Sequence, residues 1–163
     1  MDSMHQEDLI ELKNDVERAF KAALFSMDYC ILRIIMDTSK ASRIAYEKQD
    51  YQSMLYVLNK GFWDIGICIN KKLNNYNSVT PDFFDDISAN IKSHLKTDQH
   101  ISFSPENLKR CLKIVNMANE PWFDKVARQL SWQYIAEAID VSNSLAELNK
   151  YLRDNHEIQI NSQ

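Results

Sequence analysis

Apolar residues recur in steps of three and four at Leu9, Leu12, Val16, Phe20, Ala23, Leu24, Met27, Ile31 and Ile34, the spacing of one helical face. This pattern predicts a long amphipathic helix from Gln6 to Met36. Its second half adds Phe25, Tyr29, Leu32 and Ile35 on other faces, so the helix either threads the core or packs against another chain. Asp37-Thr38-Ser39 offers side chains able to accept from free amides at a helix start, and a second helical region follows to about Leu73. Gln49-Asp50 marks a possible bend within it. Gly61 and Gly66 each weaken a helix interior by roughly 1 kcal/mol relative to alanine, which predicts a neighbouring backbone too close for a side chain.

The polar run Asn74 to Ser78 closes that region. Thr80-Pro81 and Ser104-Pro105 each read as a cap followed by proline at the first helical position, opening helices to about Lys96 and Ala118 with a loop between Thr97 and Ser102. A short helix restarts at Glu120-Pro121, Ser131 caps one reaching about Asp140, and a last helix begins between Ser142 and Ser144 and ends near Asp154. With only two glycines and three prolines, strands joined by tight turns are disfavoured. The expectation is an all-α, multi-helix bundle forming one helical domain over residues 1–163, with residues 1–36 as a long N-terminal helix and possible oligomerisation arm.

At 163 residues and 45% hydrophobic composition, the chain can bury a core without disulfides or metals. Cys30, Cys68 and Cys111 are an odd, widely spaced set in apolar helical surroundings, which predicts reduced core thiols and a cytoplasmic protein. The longest apolar stretch, Ala22 to Met36, is interrupted by Asp28 and Arg33, so no membrane association is expected. The formal charge of −4 argues against bulk electrostatic coating of nucleic acid. It is unevenly spread. Residues 1–30 carry three bases against seven acids, whereas residues 104–133 carry five bases against three.

Three segments stand out: Phe62-Trp63-Asp64-Ile65-Gly66, Phe103-Ser104-Pro105-Glu106-Asn107-Leu108-Lys109-Arg110, and Val126-Ala127-Arg128-Gln129-Leu130-Ser131-Trp132. In order and spacing they resemble the aromatic-Trp-acid-Ile-Gly, Gly-Phe-Ser-x-x-Asn-Leu and Leu-Ser-Trp segments of the N-terminal domain of YhcG-family proteins, predicted bacterial nucleases. The resemblance covers residues 51–139; Gln133 and Tyr134 stand where the family continues Ser-His. It implies a helical, DNA-associated domain with a helix-turn-helix-like C-terminal half, normally followed by a separate PD-(D/E)XK nuclease domain. That domain is not expected here: Pro81-Asp82 has no downstream acid-x-Lys, and Glu11-Leu12-Lys13 precedes it on a predicted helix.

Lys109, Arg110, Lys113 and Arg128 are the candidate nucleic-acid contacts, with Ser104 and Asn107 shaping the helix start beside them. The Ser131–Asp140 helix suits recognition poorly, because Glu137 and Asp140 would repel phosphate. Trp63, Trp122 and Trp132 could stack on unpaired bases but read better as core, and Asp64 better as a structural partner than as a catalytic acid. His94 and His100, six apart, fit no zinc spacing, so no metal or cofactor is expected. The expected function is therefore a non-enzymatic, DNA-associated module that binds DNA or docks onto a nuclease or restriction complex. The alternative is a protein-interaction or oligomerisation module, an adaptor or inhibitor of a nucleic-acid-processing enzyme, using the N-terminal helix for homo-oligomerisation.

Overall fold

The computed structural model describes residues 8–15, 28–75, 81–95, 103–158 and 160. All regular structure among them is helical: α1 (residues 8–15), α2 (Asp28–Glu47), α3 (Tyr51–Asn75), α4 (Phe83–His94), α5 (Pro105–Met117), α6 (Glu120–Ala127), α7 (Trp132–Val141) and α8 (Leu145–His156). Among the described residues no helix is long and apolar enough to cross a membrane.

The expected helix break after Met36 is not there. Asp37, Thr38 and Ser39 lie inside α2, held by an Arg33–Asp37 pair one turn apart and by Ser42 Oγ donating to the Ser39 carbonyl at 3.0 Å. The chain turns instead at Lys48-Gln49-Asp50, where Gln49 takes φ 58° and Asp50 becomes the cap. Asp50 Oδ1 accepts from the Ser53 amide at 3.1 Å and Oδ2 from the Ser53 hydroxyl at 2.6 Å, and these bonds lower the Asp50 pKa. The bend anticipated at Gln49-Asp50 is thus the tip of an α2–α3 hairpin. The N-terminal helix expected from Gln6 to Met36 is helical over 8–15 and 28–36, and its middle lies outside the described residues. Of its described residues, Ile31, Leu32 and Ile35 are buried, and Leu12 packs against the same cluster.

Three downstream starts use side-chain caps, whereas Ser131, expected to cap α7, precedes it without a side-chain bond to the helix. The Ser104 side chain accepts from the Asn107 amide at 3.2 Å, Asn119 from the Trp122 amide at 2.9 Å, and Ser144 from the Glu147 amide at 3.2 Å. The start expected at Thr80-Pro81 falls two residues later: Pro81-Asp82 forms a turn, and the first helical bond runs from the Asp86 amide to the Asp82 carbonyl. Thr80 and the Thr97–Ser102 loop lie outside the described residues.

Two apolar clusters share α3 and α5. One joins α2, α3, α4 and α5 through Ile31, Ile65, Ile69, Ile91 and Leu108; the other joins α3, α5, α6, α7 and α8 through Trp63, Ile114, Phe123, Ile139 and Leu148. The two glycines of α3 lie where it meets its neighbours. A Cβ on Gly66 would overlap the Cys111 carbonyl of α5, the close backbone expected. Gly61 differs, since a Cβ there would lie 2.7 Å from Oγ1 and 2.9 Å from Cγ2 of Thr38, a side chain rather than a backbone.

Candidate functional site

The three segments singled out in the sequence meet in space. Phe62 stacks on Trp132 with ring centres 4.5 Å apart, and Trp132 Nε1 donates to Asn107 Oδ1 at 2.7 Å. Asn107 is buried with its side-chain oxygen committed to that indole, so it does not present a phosphate-facing group at the α5 start. One residue on, Trp63 stacks on Phe123 at 4.7 Å, and Trp122 Nε1 donates to Asn149 at 2.7 Å. Trp63 and Trp122 are core residues, while Trp132 is half-buried with its polar tip satisfied. The signature therefore locks α3, α5 and α7 together.

Asn59, not apparent from the sequence, does comparable work for α6. Fully buried, its amide donates to the Ala127 carbonyl at 3.0 Å and to the Leu130 carbonyl at 2.6 Å, closing the α6–α7 turn. Next to it, Lys60 Nζ reaches Glu120 at 2.5 Å and Asp124 at 2.8 Å, and the Tyr56 hydroxyl donates to Asp124 at 3.1 Å. Burial depresses the Lys60 pKa, but the two carboxylates outweigh it and raise it. Glu120 and Asp124 stand four apart on α6, the one signal in the sequence for this ion pair. Partial burial pushes the Asp64 carboxyl up; Lys60 opposes the shift, and Glu120 and Asp124 add to it.

Each of the four candidate nucleic-acid residues has a partner within the fold. Arg110 makes a two-pronged pair with Asp140, Nε to Oδ1 at 2.8 Å and a terminal nitrogen to Oδ2 at 2.9 Å, and that bond raises its pKa. Lys113 Nζ donates to the Ile139 carbonyl at 2.6 Å, at the negative end of α7. The Lys109 ammonium sits 5.8 Å from the Phe84 ring centre, and the Arg128 guanidinium 4.1 Å from that of Tyr56. Lys109 and Lys113 line one open hollow of about 450 Å³, with Phe84, Asn116 and Asn143. Arg110 belongs to a second, of about 330 Å³, whose wall carries Gln133, Glu137 and Asp140. Arg128 lies against α3. The structure thus keeps Lys109 and Lys113 together but sets Arg110 and Arg128 on two other surfaces.

A different surface carries the apolar exposure. Between α2 and α3 runs a groove of about 250 Å³ lined by Ile34, Thr38, Leu58, Phe62, Ile65 and Phe103. Leu58 keeps 40% of its surface exposed. Tyr51, one heptad before Leu58, and Tyr46, one heptad after the lining residue Ser39, continue the two walls toward the hairpin tip. There their rings meet edge to face at 6.3 Å, 58% and 61% exposed. Among the described residues no charged side chain lines the groove. Among the described residues no group of three or more His, Cys, Asp or Glu side chains converges; His94 ends α4, and His100 lies outside them.

Comparisons of the chain with models of protein families, with curated proteins and with solved structures find no match, so the likeness to YhcG N-terminal domains rests on the three segments themselves.

Proposed function

We propose that the chain is a non-catalytic protein-interaction module whose α2–α3 groove receives the apolar face of an amphipathic helix from a partner protein. The groove between two helices, lined by uncharged side chains among the described residues and extended by an exposed tyrosine pair, carries this reading. Its volume, about 250 Å³, falls below the roughly 300–1,000 Å³ of small-molecule sites. It suits a few side chains spaced i, i+3 or i+4, and i+7 on one helix. Tyrosine contributes broad contact area at low entropy cost, with a hydroxyl that can stay wet at the rim. An uncharged floor selects an apolar stripe and disfavours a charged segment, because a buried unpaired charge is costly.

DNA association is the second reading, favoured by the hollow in which Lys109 and Lys113 flank Phe84 and two asparagines, and by the YhcG-like segments. A photo-crosslinking residue placed in native cells at Leu58, and separately at Lys109, separates the readings. Crosslinks from position 58 to an amphipathic helix of one partner, lost on Tyr51→Glu, are the expected result. Crosslinks from position 58 to another copy of this chain would replace the partner with self-association. Crosslinks only from position 109, together with salt-dependent DNA binding by the purified protein, would overturn the groove reading in favour of the second.

A further inference from the structure

Cys30 was expected in the core with Cys68 and Cys111, yet it is exposed in the first turn of α2, while the other two are buried. Its thiol interacts with that of Cys68 across the α2–α3 interface. The helix register accounts for the meeting independently. Thr38 of α2 faces Gly61 of α3, and Cys30 lies eight residues before Thr38 whereas Cys68 lies seven after Gly61, each about two turns away. In an antiparallel hairpin the two steps, about 12 Å and about 10.5 Å along the axes, bring both residues to the same level; seven residues keep Cys68 within about 20° of the Gly61 face, while eight turn Cys30 about 80° from that of Thr38, to the edge of the seam where it is exposed. A disulfide spans Cα–Cα distances of about 4.4–6.8 Å, so the bridge requires the two thiols to meet at that edge.

We propose that Cys30 and Cys68 are a hydroperoxide-reactive dithiol, oxidised to a disulfide that staples the start of α2 to α3. This inference stands independently of the groove reading. Access assigns the roles. The exposed Cys30 thiolate attacks the peroxide, forming an S–O bond as the O–O bond breaks; the departing oxygen takes a proton and leaves as alcohol or water. Cys30 is then a sulfenic acid. The buried Cys68 sulfur attacks the Cys30 sulfur, the S–S bond forms and the S–O bond breaks, and hydroxide departs with the Cys68 proton as water. Two thiols and one hydroperoxide give one disulfide, one alcohol and one water.

The surroundings of Cys68 fit a resolving thiol rather than an attacking one. Burial pushes its pKa up strongly and the interaction with Cys30 adds to this, against a weaker opposing pull from Lys71 and Lys72, so it keeps its proton until the sulfenic acid forms. A resolving thiol beside the first-formed sulfenic acid also spares it further oxidation. Cys111 is an internal control: it is fully buried, and its carbonyl abuts Gly66.

Hydrogen peroxide titration of the full chain, read by intact mass and peptide mapping, tests the proposal. The expected product has lost two hydrogens, links Cys30 to Cys68, is reversed by dithiothreitol, and forms unchanged in Cys111→Ser. Cys68→Ser should instead accumulate oxygen on Cys30. Prior alkylation of the unmodified chain with iodoacetamide should label Cys30 first and abolish the bridge, a readout that depends on no variant folding. Oxidation of Cys30 to sulfinic acid with Cys68 left as a thiol, or a bridge joining two chains, would overturn the proposal.

Discussion

Gly66→Ala isolates the contact that sets the distance between α3 and α5. Alanine gains about 1 kcal/mol over glycine in a helix interior. Against this, the new Cβ would occupy the space of the Cys111 carbonyl, and Val115 Cγ1 lies 2.8 Å away. Overfilling a packed core costs about 1–3 kcal/mol, and the upper end applies here because a main-chain carbonyl inside α5 cannot rotate aside. The helices must separate, loosening the Trp132–Asn107 bond and the Phe62–Trp132 stack that join the same elements. The net loss is therefore about 2 kcal/mol, a fall in melting temperature of about 4–8 °C for a chain of this length.

Gly61→Ala supplies the contrast, because its obstacle is the Thr38 side chain. Thr38→Ala should relieve Gly61→Ala and let the helix-propensity gain show, whereas Val115→Ala should not rescue Gly66→Ala, since the carbonyl remains. Thermal unfolding followed by far-ultraviolet circular dichroism measures all of these. A Gly66→Ala protein as stable as the parent, or rescue by Val115→Ala, would refute close backbone approach as the reason for glycine at this position.

Asn59→Asp keeps the side-chain shape but removes both donors, leaving the Ala127 and Leu130 carbonyls without them in the core. With about 1–3 kcal/mol for each of the two abandoned buried acceptors, a loss of about 2–6 kcal/mol is expected as a lower urea midpoint with unchanged slope; a shift within error would discount the turn-closing role. Asp64 has a folded pKa above its ordinary value, so its contribution to stability is fully present below the ordinary carboxyl range and lost as pH rises through the folded value. Asp64→Asn should accordingly stabilise the protein at neutral pH and lose that advantage in acid. A melting-temperature difference that does not change with pH would contradict this assignment.

Helix starts were legible where the deciding chemistry is local. Ser104-Pro105 and Ser144 place acceptor and orphan amide within three residues, and the structure uses both; Ser131 begins α7 without a side-chain cap bond, and the Asn119 cap of α6 went unread. The Met36 boundary misled because Asp, Thr and Ser are cap residues only where a helix begins. Within α2, Asp37 pairs back to Arg33, Thr38 fills the notch above Gly61, and Ser39 supplies its carbonyl to Ser42. The true turn needed Gln49 at positive φ, which nothing in its residue type announces. Of the candidate site, the core role of Trp63 was readable from periodicity, while Trp132, read the same way, is half-buried against Phe62. The groove was not, because the side chains of its two walls also look like ordinary core positions, and only the packing shows which of them stay uncovered.

The basic stretch shows why charge counted along a chain misjudges charge in space. Residues 104–133 carry five bases and three acids, a net +2, but the window stops short of Glu137 and Asp140. Extending it to residue 140 adds those two acids and no base, giving five against five and a net of zero. The extension is physical rather than arithmetical, because α7 packs against α5 and Asp140 grips Arg110 in a two-pronged pair. Lys113 is likewise directed to a helix C-terminus instead of to solvent anion. An incoming phosphate would have to compete with partners already in place: an exposed Arg110–Asp140 pair, of a kind worth about 0–1 kcal/mol, and a half-buried carbonyl on Lys113. A phosphate gains most from cations left free to meet it, so pairing within the fold lowers the nucleic-acid affinity of this helix below what its composition suggests.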